Sequence, residues 1–179
     1  MRIIAGSRRG HKLFDFEGMN IRPTTDRVRE SMFNLIMPFI ADAKVLDLFG
    51  GSGALSLEAL SRGAKSAVIC DSSGASCGLI KKNISALKFD SEAFTVQMTA
   101  QQYVTEAKEK FDLIFLDPPY NKGFIEPIIT ALTENNVIAP GGIVVLESDN
   151  TDEHGEFERL EILKQRKYGR TYITVYQLL

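Results

Sequence analysis

Apolar positions along the chain change period several times, and those changes divide it into elements. Val28, Met32, Leu35, Ile36 and Phe39 recur at helical spacing, with Arg27 and Glu30 on the other face. That pattern predicts an amphipathic helix. Arg22-Pro23-Thr24-Thr25 precedes it; proline ends an extended stretch and a threonine can cap the first turn. From Lys44 onward, short apolar runs alternate with helical patterns. The runs are Val45–Leu48, Ser66–Asp71, Ala93–Met98, Phe111–Leu116 and Ile143–Glu147. The helical segments between them are Ala54–Arg62, Ser76–Lys88, Ala100–Lys108 and Phe124–Thr133. Pro140-Gly141-Gly142 reads as a turn, and Leu160–Lys167 and Thr171–Leu178 as strands joined at Gly169. At the other end, residues 2–5 and 11–14 flank Gly6-Ser7-Arg8-Arg9-Gly10, a predicted β-hairpin.

Strands alternating with helices predict an α/β fold whose parallel sheet is covered on both faces. The near-continuous apolar runs agree, because such strands are buried on both sides. The last two strands make an antiparallel C-terminal hairpin, and the small N-terminal hairpin and helix stand apart. At 179 residues, 44% hydrophobic and 25% charged, one domain is expected. Residues 1–40 would form a basic hairpin and helix extension, and residues 41–179 the core.

Composition narrows the function. No apolar run approaches the roughly 20 residues that span a bilayer. The start lacks a signal-peptide pattern, so a cytoplasmic protein without membrane contact is expected. Two cysteines, Cys70 and Cys77, and two histidines favour buried free thiols over a disulfide and leave metal chemistry unsupported. The net charge is −2, yet residues 1–30 hold seven Lys/Arg against four Asp/Glu. A basic end on an acidic body fits a local contact with a polyanion; a solvated basic strand fits equally well.

In open α/β sheets, ligands bind outside the carboxyl ends of the strands. The first core strand ends in Asp47-Leu48-Phe49-Gly50-Gly51-Ser52-Gly53, an acid followed by a glycine-rich turn and a helix. Glycine lets a ligand approach the backbone and takes positive φ without steric cost. A dinucleotide site usually needs a third glycine, and Ser56 stands there, which weakens a nicotinamide reading. The second strand ends at Asp71, suited to accept from both hydroxyls of a ribose. Thr99, before Ala100 at the end of the third strand, is placed either to meet an adenine edge or to cap the next helix.

Phe111–Leu116 leads into Asp117-Pro118-Pro119-Tyr120. A buried strand delivers an acid to the ligand edge, and two prolines then stiffen the backbone. The lone pair of an exocyclic amine is delocalised into its base and attacks poorly. Asp117 and the Pro118 carbonyl offer two acceptors for its N–H groups, which orients the nitrogen and favours positive charge developing on it. Tyr120 offers a stacking plate, worth roughly 1–3 kcal/mol. The alternative, a proline-rich turn closing a strand, leaves the order of acid, prolines and aromatic unexplained.

These residues resemble a known family. D-P-P-Y after a strand resembles the fourth motif of amino-group methyltransferases acting on DNA and RNA, and D-L-F-G-G-S-G-A-L their first motif. Arg2–Gly10, Arg22–Asn34 and Ser56–Ala64 closely resemble the RsmD family of 16S rRNA guanine-N2 methyltransferases, so the likeness covers nearly the whole chain. The resemblance implies a Rossmann-like seven-stranded methyltransferase fold with S-adenosylmethionine over Gly50, Gly51 and Gly53. Asp47, Phe49, Asp71, Thr99 and Ala100 would complete the cofactor site. Asp117, Pro118, Pro119 and Tyr120 would hold the guanine. Arg8, Arg9, Lys12, Arg22, Thr24 and Arg27 would contact 16S rRNA; the small basic surface favours a small-subunit particle as substrate, and the lack of an extended apolar seam outside the core favours a monomer. One departure is visible: relatives often have a second acid where this chain has Ser73.

Two other functions use the same features. A DNA adenine or cytosine amino-methyltransferase faces the same amine chemistry but commonly needs a further base-reading region, for which little length remains. A non-catalytic RNA-binding assembly factor on the same fold is the other, supported by the missing second acid at Ser73.

Overall fold

The computed structural model describes residues 1–16, 25–119, 123–150 and 154–179. Helix α1 covers Asp26–Ile36; the Thr25 hydroxyl accepts from the Val28 N–H at 3.3 Å, and Asp26 sits in the first turn. A short 3-10 turn, Met37–Phe39, leads to β1, Lys44–Asp47. Then come α2 (Ala54–Ser61), β2 (Ser66–Asp71), α3 (Gly74–Leu87), β3 (Ala93–Gln97) and α4 (Ala100–Glu106). The chain continues through β4 (Phe111–Leu116), α5 (Ile125–Glu134), β5 (Ile138–Ser148), β6 (Leu160–Tyr168) and β7 (Thr171–Leu178).

The seven strands form one sheet in the order β3-β2-β1-β4-β5-β7-β6. β1 to β5 run parallel, and β7 pairs antiparallel with both β5 and β6. The strand order reverses between β1 and β4. At that switch point the two outgoing loops diverge to opposite sides and leave a crevice.

Side chains alternate across each strand. Val45, Leu113, Phe115, Ile143 and Val145 face a core with α1, α2 and α3, where the Phe33 and Phe115 rings lie 5.8 Å apart. Leu46, Ile114, Leu116, Val144 and Tyr176 face α4 and α5. Among the described residues, no helix is long and apolar enough to cross a membrane.

One sequence expectation changes. Pro140-Gly141-Gly142 does not stop a strand; it lies inside β5. The ladder to β4 pairs Phe111 with Ile138 and then jumps to Leu113 with Ile143, so these residues bulge out between the two registers. Proline has no N–H for the ladder and Gly141 has φ +71°, which is bulge chemistry rather than a break.

The N-terminal hairpin pairs around one antiparallel bridge, Arg2 to Lys12, with the Ile3 N–H donating to the His11 carbonyl at 2.9 Å, the Gly10 N–H to the Ile3 carbonyl at 2.9 Å and the Leu13 N–H to the Met1 carbonyl at 3.0 Å. Backbone groups outside this pairing are committed to α2. The Glu58 carboxylate accepts from the Ile4 and Ala5 N–H groups at 2.8 and 3.0 Å. Ser61 donates to the Ala5 carbonyl at 2.6 Å and accepts from the Arg8 N–H at 2.9 Å. Gly6 sits at φ +84° so close that a Cβ would lie 1.8 Å from the Ser61 carbonyl oxygen. The segment is therefore laid onto the body and is not a projecting arm.

Candidate active site

The strand alternation that builds the core also sorts the acids. Asp47 and Asp71 end β1 and β2, Asp117 directly follows β4, and Glu147 is the last residue but one of β5. Each continues the register of residues that face α1, α2 and α3. Four carboxylates therefore gather on one side of the carboxyl edge, on both sides of the switch point.

Asp47 is buried. It accepts from the Phe49 N–H at 3.3 Å and the Ser56 hydroxyl at 3.1 Å, so it braces the glycine-rich turn from within. Gly50 has no room for a side chain, since a Cβ would meet Ile69 at 2.5 Å. Gly51 and Gly53 have φ +55° and +82°, a region glycine enters freely. Asp71 joins the two cofactor-side loops by accepting from the Gly51 and Ser73 N–H groups, each at 2.9 Å. Each of its oxygens keeps a second lone pair for a ribose hydroxyl. Ser73 itself caps α3, accepting from the Ser76 N–H at 3.3 Å, a task a serine performs as well as an acid.

Beside this turn is a pocket of about 170 Å³ lined by Phe49, Asp71, Thr99, Ala100, Phe124, Pro127 and others. Its walls are mostly apolar, with Asp71 among the lining residues. Thr99 lines it while also capping α4 in a capping box with Gln102; the two roles expected for it are compatible. Phe124 packs 5.9 Å from Phe49.

Asp117 leaves β4 across the switch point. Burial, then the neighbouring charges of Glu147 and Asp47, push its carboxyl well above the ordinary carboxylate range. Pro118 is buried and Pro119 exposed. Tyr120, Arg22 and Thr24 lie outside the described residues. Arg9, Lys12 and Arg27 are exposed; Arg9 and Arg27 line, with Arg2, Asp26 and Glu30, a groove of about 350 Å³ between the N-terminal segment and α1. Arg8 is engaged inside the protein: its Nε donates to the Leu87 carbonyl at 2.7 Å and its guanidinium lies 4.9 Å from the Phe89 ring centre. Cys70 and Cys77 are buried free thiols. Among the described residues, no cluster of His, Cys, Asp or Glu is suited to a metal ion.

The family model described as conserved hypothetical protein 95 matches residues 1–177. The chain belongs to this family. Among its relatives, ribosomal RNA small subunit methyltransferase D of Haemophilus influenzae is 36% identical over 180 residues, covering 99% of this chain and 93% of the relative. The protein of that name in Escherichia coli K12 is 40% identical over 149 residues, covering 83% of this chain and 75% of its own. The solved structure of Escherichia coli yhhF superposes with a TM-score of 0.89 at 33% identity, covering 99% of this chain and 97% of that one. The chain has the class I methyltransferase fold of these neighbours.

Several site residues of this family member escape a reading by motif. Glu147 is buried, and its charge pushes the Asp117 carboxyl up; its only sequence signature is an acid ending an apolar run. Phe124, Pro127 and Ile128 reach the pocket from the start of α5, where they read simply as helix residues. Asn83, fully buried, donates to the Ser52 carbonyl at 2.9 Å and so holds the glycine-rich turn from α3.

The buried Asp47 makes stability depend on pH. Burial raises its carboxyl from 3.8 to about 7, against the lowering hydrogen bonds from Ser56 and Phe49, with the Asp71 charge adding to the rise. A raised acid contributes stability fully present below its unfolded value and lost as pH rises through about 7. Asp47→Asn is therefore expected to melt a few degrees higher than the parent at pH 8, with the gap closing toward pH 5. At 1.36 kcal/mol per unit the ceiling is about 4 kcal/mol, and the amide's misfit with its two donors removes part of that. A variant whose deficit against the parent is larger at pH 8 than at pH 5 would contradict this account.

Proposed function

We propose that this protein methylates the exocyclic N2 amine of a guanine in small-subunit ribosomal RNA, using S-adenosylmethionine. The observation that carries the reading is the meeting of Asp117 and the glycine-rich turn across the β1–β4 switch point. The names of the relatives support rRNA as substrate. The apolar pocket, the free lone pairs of Asp71 and the tight glycine turn fit an adenosine, and the carboxylates around Asp117 fit a cationic centre. Bound there, S-adenosylmethionine supplies an electrophilic methyl on sulfur.

The residues of the chain do the rest. Asp71 holds the ribose, and Phe49, Thr99, Ala100, Phe124 and Pro127 enclose the base. Asp117 and the Pro118 carbonyl accept the two N–H groups of the guanine amine, and Pro119 stiffens the turn into Tyr120. This aims the nitrogen lone pair at the methyl, and positioning of reacting atoms about 3 Å apart supplies much of the barrier reduction. As the N–C bond forms, the methyl–sulfur bond would break with its electron pair leaving on the thioether sulfur, and the positive charge that develops on nitrogen, lost afterwards as a proton to water, faces Asp117. The groove of Arg2, Arg9 and Arg27, with Lys12 beside it, contributes phosphate contacts, and a monomer acting on an assembled small-subunit particle suits so small a basic surface.

The test is methyl transfer from labelled cofactor to purified 30S particles from cells lacking their own enzyme, followed by nucleoside analysis. N2-methylguanosine is the expected product. Label in N6-methyladenosine or in duplex DNA would replace the substrate assignment, and no incorporation into particles, naked rRNA or DNA would reject catalysis.

A further inference from the structure

A single exposed phenylalanine is ordinary on a protein surface, but Phe14 is set apart by three features. It is 45% exposed, and the Lys82 ammonium sits 3.8 Å from its ring centre, a cation–π contact. Its backbone is held at both groups by one buried side chain: Asn83 accepts from the Phe14 N–H at 2.7 Å and donates to the Phe14 carbonyl at 3.0 Å. The same Asn83 amide nitrogen donates to the Ser52 carbonyl at 2.9 Å. Phe14 thus lies within two hydrogen-bond lengths of the glycine-rich turn, on a rigid mount.

Its surroundings are basic. Lys81, Lys82 and Lys88 are exposed on or just after α3, a helix that carries no acid. Arg9 and Lys12 are exposed on the facing N-terminal segment, where Asp15 is the one acid among residues 1–16. A fixed aromatic plate amid cations is the arrangement that binds single-stranded nucleic acid, stacking a base while lysines meet the backbone phosphates.

We propose that Phe14, capped by Lys82, is a stacking site for an unpaired RNA base near the target guanine. This rests on the reading of the protein as an rRNA methyltransferase and adds a contact to it, with α3 lysines as part of the RNA surface. The site holds a flanking nucleotide, so its effect falls on binding and not on the chemistry at Asp117. Stacking is sequence-tolerant, since every base has a π-face.

The experiment uses Phe14→Ala, Phe14→Leu and Phe14→Trp in the full chain, with single-stranded oligoadenylate of eight nucleotides and undermethylated 16S rRNA as probes. Phe14→Ala and Phe14→Leu are expected to weaken oligoadenylate binding and raise KM for rRNA by roughly 5- to 150-fold. Cofactor affinity and kcat should stay within about twofold, because positioning of a flanking base is a uniform binding effect. Phe14→Trp restores binding and, as the natural chain has no tryptophan, gives a single fluorophore that a stacked base quenches. Parent-like oligoadenylate binding and KM in Phe14→Leu would overturn the proposal, as would tryptophan fluorescence unchanged at saturating oligoadenylate. Absence of methyl transfer by the parent protein would count against the enzymatic reading alone, because binding and quenching are read without turnover.

Discussion

Asp117→Ala is expected to lower kcat for methyl transfer by about 10²–10³-fold while cofactor affinity stays near that of the parent. The expectation follows from where the side chain stands. Asp117 is delivered by a buried strand to the far side of the switch point from Asp71 and the pocket of Phe49, Thr99 and Ala100. On the proposed reading, the cofactor contacts are thus on one set of loops and the amine acceptor on another. Asp117→Asn keeps an acceptor in its amide oxygen but loses the negative charge that would face the positive charge developing on nitrogen, so its rate should fall between those of the parent and Asp117→Ala. The carboxyl carries that charge only when ionised, and burial with the charges of Glu147 and Asp47 raises its pKa. The rate should therefore fall as pH drops through that raised value. Glu147→Gln removes a like charge, so the acid limb of the profile should move to lower pH. Single-turnover rates over a pH series with 30S particles measure both effects. An Asp117→Ala protein with parental turnover would remove the mechanism, and an acid limb that Glu147→Gln leaves in place would remove the coupling.

The second large effect concerns the body of the protein. Glu58→Ala is expected to destabilise the fold by about 3–5 kcal/mol, the usual cost of removing one partner of a buried charged pair. Glu58 is 0% exposed and accepts from the Ile4 and Ala5 N–H groups and from the Arg62 guanidinium at 2.7 Å. Its charge also steadies Arg29, a guanidinium 1% exposed that donates to the Arg2 carbonyl and to Asp26. Burial lowers the pKa of Arg29, and the Glu58 and Asp26 charges oppose that shift. Truncating Glu58 strands two backbone donors and leaves two guanidinium groups less well compensated. For a chain of this size the melting temperature should fall by roughly 10 °C or more. Glu58→Gln, which keeps an acceptor but loses the charge, should fall between. Thermal and urea denaturation read the effect; a loss under about 2 °C would show that the N-terminal segment is anchored elsewhere.

Much of the architecture is legible in the residues. Alternating apolar runs and helical spacings mark the five parallel strands and the closing hairpin, because burial on both faces leaves little choice of side chain. The ends of those strands mark Asp47, Asp71 and Asp117, because ligand edges follow strand ends. Pro140-Gly141-Gly142 misleads as a turn because local chemistry is the same for a turn and a bulge; only the neighbouring ladder of β4 decides between them. The N-terminal hairpin is legible from its turn residues and forms. Its docking is not, because Glu58 and Ser61, far along the chain, take up the Ile4, Ala5 and Arg8 backbone groups left outside the pairing.

For this protein the sequence by itself determined the α/β class, the glycine-rich turn and the acid-proline-proline segment, since each depends on bonds and sterics within a few residues. Tertiary structure alone decided that Glu147 faces Asp117, that α5 closes the pocket with Phe124 and Pro127, and that Asn83 ties Phe14 to the glycine-rich turn. Those contacts join residues far apart in the chain. They exist because the sheet order sets β5 beside β4 and packs α3 against the N-terminal segment, and pair energies across such distances leave no periodic trace in either partner.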